Sequence, residues 1–179
     1  MSGEACGCGR ILGRHRARGV WLTIRTACRR DRDALIRFYE SLSLETIYTR
    51  FFAIVRYFDP YVDSLLSNAR AVVVVAEAPD GRIVGVAEAV GDERGYAESG
   101  IAVLEEFQGQ GVGTALGKAI LEASRMCGFK KLYGYIMVDN RAAYRLAMKF
   151  GARVVGRYEA LLRIEFDLEA SRGPRPRGP

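Results

Sequence analysis

Val103-Leu104-Glu105-Glu106-Phe107-Gln108-Gly109-Gln110-Gly111-Val112-Gly113 runs from the end of one expected strand into the start of one expected helix. Upstream, Tyr96 to Val103 reads as a strand. Downstream, Val112, Ala115, Leu116, Ala119, Ile120 and Ala123 recur on one helical stripe, with Lys118, Glu122 and Arg125 opposite. Glycines at such a junction leave backbone N–H groups unpaired, and the helix dipole adds positive charge, so the turn reads as an anion site suited to a pyrophosphate. Gly111 and Gly113 let the backbone approach the ligand. Two other phosphate motifs fail: the dinucleotide pattern begins at Gly109 and Gly111 but meets Thr114 in place of its third glycine, and the Walker pattern meets Val112 in place of a glycine and Ala119 after Gly117-Lys118.

Outward from this loop the chain divides into short elements. Val20 to Arg25 is a strand, Asp31 caps a helix carrying Ala34, Leu35, Phe38 and Leu42, and Ser43 opens a second helix through Phe52. Asp59-Pro60 reads as a cap followed by a first-turn proline, so a bend is expected between Ser43 and Asn68. Ala71 to Ala76 is a buried strand, Pro79-Asp80-Gly81 a turn, and Ile83 to Val90 the antiparallel return. Lys131 to Val138 is a strand, Asn140 to Phe150 a helix, and Arg153 to Tyr158 with Leu161 to Leu168 a closing pair. Residues 1–19, rich in Gly and Arg, read as a disordered basic arm, and residues 169–179 as a disordered Arg/Pro/Gly tail, leaving one domain at 20–168.

The 179 residues suit one domain, and the longest apolar run, Ala71 to Ala76, is far short of the roughly 20 residues of a spanning helix. Nothing near Met1 has an apolar signal core, so a cytoplasmic location is expected. The net charge of +6 lies in the two ends, while residues 21–169 hold twenty basic and twenty acidic side chains. A folded domain built around a nucleic-acid groove is therefore disfavoured. Cys6, Cys8, Cys28 and Cys127 show no framework spacing, and Cys6, Cys8 and His15 lack a fourth ligand, so no metal is expected. With His15 the only histidine, Ser-His-Asp and Cys-His mechanisms are disfavoured too.

The loop resembles the acyl-CoA loop of the GNAT acetyltransferases, whose Gln/Arg-x-x-Gly-x-Gly/Ala pattern reads here Gln108, Gly111, Gly113, with Asn140, Ala143 and Gly151 at the family's offsets in the following helix. The order of elements over residues 20–168 is similar as well. The resemblance implies an α/β (α+β) architecture, the GNAT (acyl-CoA N-acyltransferase) fold with a mixed, mostly antiparallel sheet flanked by helices. It also implies an acetyl-CoA-dependent N-acetyltransferase in which Gln108, Gly109, Gln110, Gly111, Val112, Gly113 and Thr114 hold the pyrophosphate. Backbone amides near Ile101, Ala102 and Val103 would hold the thioester carbonyl, and Asn140 and Ala147 would contact the CoA arm. Ser41-Leu42-Ser43-Leu44-Glu45-Thr46-Ile47-Tyr48-Thr49-Arg50-Phe51-Phe52 resembles a segment of the Pat-type protein lysine acetyltransferases, including small stand-alone archaeal members.

Transfer to an amine requires removing a proton from an ammonium whose free pKa is ~10.4. Glu98, ten residues before Gln108 and flanked on its strand face by Gly100 and Ala102, matches the family's base; Glu88 is the reserve. Many relatives carry a tyrosine acid seven residues after the asparagine, where this chain has Ala147. Tyr144, one turn earlier, is the substitute, with Tyr133 and Tyr135 nearby, or the thiol leaves unaided. Tyr57, Tyr61 and Asp63 are candidates to line an acceptor cleft.

The acceptor reading is a protein with an exposed lysine, with a nucleic-acid-bound or chromatin protein among the candidates. The alternatives are a small amine, a protein N-terminus, or a non-enzymatic CoA-binding or nucleic-acid-associated module. No membrane partner, weak or absent direct nucleic-acid binding, and a monomer or homodimer are expected. Removal of residues 1–18 and 171–179 should leave acetyl-CoA binding unchanged.

Overall fold

The computed structural model describes residues 7–169. Eight strands form one mixed sheet in the order β1-β2-β3-β4-β5-β6-β8-β7, antiparallel at every described pairing except β5 with β6. In chain order these are β1 Ile11–Ala17, β2 Val20–Thr26, β3 Ala71–Glu77, β4 Ile83–Gly91, β5 Tyr96–Val103, β6 Lys131–Met137, β7 Arg153–Tyr158 and β8 Leu161–Asp167. The helices are α1 Arg32–Glu40, α2 Leu44–Phe51, α3 Asp59–Ser67, α4 Val112–Met126 and α5 Arg141–Lys149. α4 packs against β1 to β5, while α1 packs against β4 and α3 against β3. Covered by helices, β3 and β4 are buried along nearly their whole lengths, which is why their sequences are almost continuously apolar rather than alternating.

β1 corrects the expectation that residues 1–19 are disordered and that the fold begins at Val20. Residues 11–17 pair antiparallel with β2 through Arg18-Gly19, both at positive φ, the backbone of a two-residue hairpin turn. Gly13, His15 and Ala17 lie on one face and Arg14 and Arg16 on the other, so an arginine-rich composition conceals period-2 alternation. A disulfide joins Cys8 to Cys28, and Cys127 is also disulfide-bonded. The absence of framework spacing thus did not mean an absence of pairing. Residues 1–6, with Cys6, and 170–179 lie outside the described residues. Among the described residues no cluster suits a metal ion, and no helix is long and apolar enough to cross a membrane.

Local details follow from side-chain chemistry. Ser43 accepts the Thr46 N–H at 3.1 Å and Asn140 the Ala143 N–H at 3.0 Å, each capping its helix. Asp31 precedes α1 but makes no cap with that helix. It is buried and held by both Nη atoms of Arg25, each at 2.8 Å, and by the Cys28 N–H at 2.7 Å. Burial alone would raise the Asp31 carboxyl, but the Arg25 and Cys28 hydrogen bonds outweigh it and hold the group below its ordinary range. Asp59 and Pro60 are the first two residues of α3, so the expected cap falls one residue early, on Phe58.

The buried side chains form two clusters. The larger spans β1 to β6 and helices α1 to α4; the smaller joins Ile136, Ala147, Ala152 and Ile164.

Candidate active site

The opening lies between these two clusters. β5 and β6 pair at only three positions, Tyr96↔Lys131, Ala97↔Leu132 and Glu98↔Tyr133. Beyond Glu98, β5 stays with β4 as far as Val103 while β6 stays with β8, so the strands part. The edge of β5 from Ser99 to Val103 then lacks a strand partner on one side, which leaves backbone groups short of Val103 O available to a ligand. The cleft encloses about 870 Å³ and is lined by that edge, by Tyr133 to Met137, by one side of α5, by α2, and by the start of α4. Its size is within the range of small-molecule sites.

The Gly-rich loop closes one end. Gly109 and Gly111 are at φ of 70° and 82°, a conformation that side chains disfavour, and the first helical bond behind them is Ala115 N–H to Gly111 O at 3.0 Å. The N–H groups of Val112, Gly113 and Thr114 are therefore the free donors of a helix start. Gln108 lines the cleft, but its amide also donates to Val103 O at 2.9 Å, tying the loop to β5. Glu105 accepts from Ser43 N–H at 3.0 Å and Thr46 Oγ1 at 2.7 Å, holding the start of α2 against the same turn.

Gly109 and Gly113 also line the cleft, as do Ile101, Ala102, Val103, Asn140 and Ala147. Gln110, Gly111, Val112 and Thr114 stand behind this lining. Val112 is buried in the core, and Gln110 turns away toward Glu106 O and Arg18 N–H.

The two candidate bases have opposite surroundings. Glu98 lines the cleft and is exposed, at the last paired position before the strands part. Glu88 is 2% exposed and outside the lining. It accepts from Tyr39 Oη at 2.6 Å and from Tyr61 Oη, and it forms an ion pair with Arg50. Arg50 in turn lies across Gly100, where a Cβ would collide with the guanidinium. Burial raises the Tyr39 hydroxyl well above its ordinary value. Burial also raises Tyr61, against the pull of Arg50, with the charge of Glu98 adding to the rise. Tyr133 is raised by burial and then by Glu98. Sequence reasoning missed this network, although a charged residue inside an otherwise apolar buried strand signals a partner.

The tyrosine candidates are dispersed. Tyr133 and Tyr135 line the cleft with ring centroids 6.4 Å apart, whereas Tyr144, 40% exposed on α5, does not line it. Tyr57 is 81% exposed in the segment joining α2 to α3, and Tyr61 directs its hydroxyl to Glu88. Asp63 pairs with Arg32.

A family model described as Acetyltransferase (GNAT) family matches residues 42–152. A protein of Pseudomonas aeruginosa named as an acetyltransferase is 27% identical over 140 residues, 74% of this chain and 75% of that one. Among solved structures, the GNAT domain of S. lividans PAT superposes with a TM-score of 0.76 at 24% identity, covering 87% of this chain and 96% of that chain. The spermidine N-acetyltransferase of Vibrio cholerae, solved with CoA and spermine, superposes with a TM-score of 0.67 at 20% identity, covering 83% and 96%. At these identities the structural likenesses concern the fold.

Proposed function

This chain belongs to the acetyltransferase (GNAT) family, and we propose that its acceptor is the ε-amino group of a lysine on a protein. The reaction is acetyl-CoA-dependent transfer to an amine. Acetyl-CoA supplies an acyl carbon activated as a thioester. The residues present fit it: free helix-start donors and positive-φ glycines stand at one end of the cleft, and an unpaired strand edge at the other. In this reading the loop Gln108–Gly113 binds the pyrophosphate, and the N–H groups of the β5 edge orient and polarise the carbonyl.

Glu98, at the point where the strands part, accepts the amine proton directly or through one water, leaving a nitrogen lone pair free to attack. The C–N bond forms, the C–S bond breaks, and the sulfur departs with the bonding electrons. Tyr133 and Tyr135 are the tyrosines beside that point, and a CoA thiolate needs little protonation to leave at neutral pH.

The observation that carries the choice of a protein acceptor is the exposure of four large apolar side chains, Leu44 and Tyr48 on α2 and Ile54 and Tyr57 in the segment after it, on the stretch of chain that also gives the cleft Tyr48, Thr49 and Phe52. Several large apolar side chains exposed beside a cleft are what a docking area for a macromolecule presents. A second reading, a small polyamine, is favoured by Glu45, Glu98 and Asp139 in the lining and by the polyamine acceptor of the V. cholerae neighbour. Turnover of acetyl-CoA against a panel of polyamines, lysine peptides and folded proteins decides between them. The lysine reading expects kcat/KM to be highest for proteins or peptides, and a polyamine preferred by tenfold or more, an order-of-magnitude margin of about 1.4 kcal/mol, would overturn it.

A further inference from the structure

β1 reaches the Gly-rich loop from behind. His15 Nε2 lies 2.7 Å from the carbonyl oxygen of Gln110, 95 residues away, and its ring stands against Gly111, where a Cβ would come within 3.0 Å of His15 Cε1. At the end of the same strand, the Arg18 N–H donates to Gln110 Oε1 at 2.9 Å and Arg18 Nη1 to Glu106 O at 3.2 Å. The Gln110 amide donates to Glu106 O at 2.8 Å, so the contacts close on both sides of the turn. β1 itself is fixed by its pairing with β2, by Arg10 N–H to Thr26 Oγ1 at 2.8 Å and by the Cys8–Cys28 disulfide.

We propose that His15 is a positioning residue for the cofactor loop, and β1 the element that carries it. In a trans peptide unit the carbonyl and the N–H point in opposite directions. A ring that donates Nε2–H to Gln110 O behind the loop therefore aims the Gly111 N–H of that same peptide unit away from β1, toward the ligand side. His15 lies outside the cleft lining, and its part is to set the orientation of the Gln110–Gly111 peptide unit within the loop. The proposal rests on the reading that the loop binds the pyrophosphate.

Calorimetric titration of the full chain with acetyl-CoA tests it, using three substitutions at this position. His15→Ala removes the donor, His15→Phe removes it while keeping a ring in place, and His15→Gln keeps an amide that can donate. Losing one such bond should weaken acetyl-CoA binding about 5- to 30-fold in the Ala and Phe variants, with most of the affinity recovered in the Gln variant. The KM for the acceptor at saturating acetyl-CoA should not move. Turnover with S-acetyl-pantetheine, which lacks the pyrophosphate, should also be unchanged, whereas a purely structural role would lower it equally.

Gly113→Glu is the control for the underlying reading, because it places a carboxylate in the cleft at a helix start that tolerates negative charge. Loss of binding in Gly113→Glu with wild-type affinity in His15→Ala and His15→Phe overturns the proposal alone. An equal loss with acetyl-CoA and S-acetyl-pantetheine in the His15 variants also overturns it. Wild-type affinity in Gly113→Glu overturns the loop assignment itself.

Discussion

Glu88 and Glu98 are each the single acid of their strand and would look interchangeable, yet their neighbours set them apart. Glu98 stands in the cleft, while Glu88 is sealed behind it under Arg50, Tyr39 and Tyr61. Glu98→Gln is expected to lower turnover about 10²- to 10⁴-fold with acetyl-CoA affinity nearly intact. Rising pH should restore part of the rate by deprotonating the amine in solution; steady-state kinetics across the neutral and alkaline range reads both effects. Glu88→Gln should instead cost about 3–5 kcal/mol in denaturant unfolding, because it leaves the Arg50 charge without its partner. A Glu88 variant of normal stability that loses turnover would exchange the two roles. The place of Glu98 in the cleft was legible in the sequence because a lone acid among small residues on a strand face stands out. Arg50 was visible as part of a cluster with two phenylalanines, but its position over Gly100 was not, since only the packing of α2 on the sheet brings residues 50, 88 and 100 together.

At the level of elements, capping and alternation account for what could be read in advance. Ser43 and Asn140 cap their helices as their residue types suggest, and Asn140→Ala should cost about 1 kcal/mol of stability by thermal or denaturant unfolding. Asp31 was misread because a side chain favoured at helix starts is also the natural partner of a buried arginine, and Arg25 outcompeted the helix. Its depressed folded-state carboxyl has a definite consequence for pH. The stabilisation is present above the ordinary carboxylate range and is lost as pH falls through the lower, folded-state value. Asp31→Asn should therefore reduce stability at neutral pH and flatten the acid limb of a stability–pH curve measured by urea unfolding. β1 escaped notice because Arg14 and Arg16 on its outer face, together with Gly13, gave it the composition of a tail. The useful signal was Arg18-Gly19, a turn dipeptide directly ahead of a strand.

For the molecule as a whole, residues 11–18 join the sheet and contact the Gly-rich loop instead of trailing from the domain. The expectation that residues 1–18 are dispensable for acetyl-CoA binding is replaced by its opposite. Deleting them removes β1 with His15 and Arg18, and affinity for acetyl-CoA measured by titration should fall by at least the 5- to 30-fold, order-of-magnitude loss of a single anchoring bond. Replacing Cys8 and Cys28 by serine, which opens a link closing a span of 20 residues, should lower stability by about 3 kcal/mol on chain-entropy grounds, seen as a drop in Tm against the unsubstituted chain. The sheet itself resembles a plate with a crack running in from one side. The crack stops at Glu98 and Tyr133, and the rung just behind its tip, Ala97 with Leu132, is riveted by two side chains that are almost completely buried. A ligand entering the cleft acts as a wedge driven toward that tip, and the rivets decide whether the load bends the walls or lengthens the crack. In the reading proposed above, the proton acceptor Glu98 stands next to that rung, so its position is held by the packing of an alanine and a leucine that take no part in the chemistry.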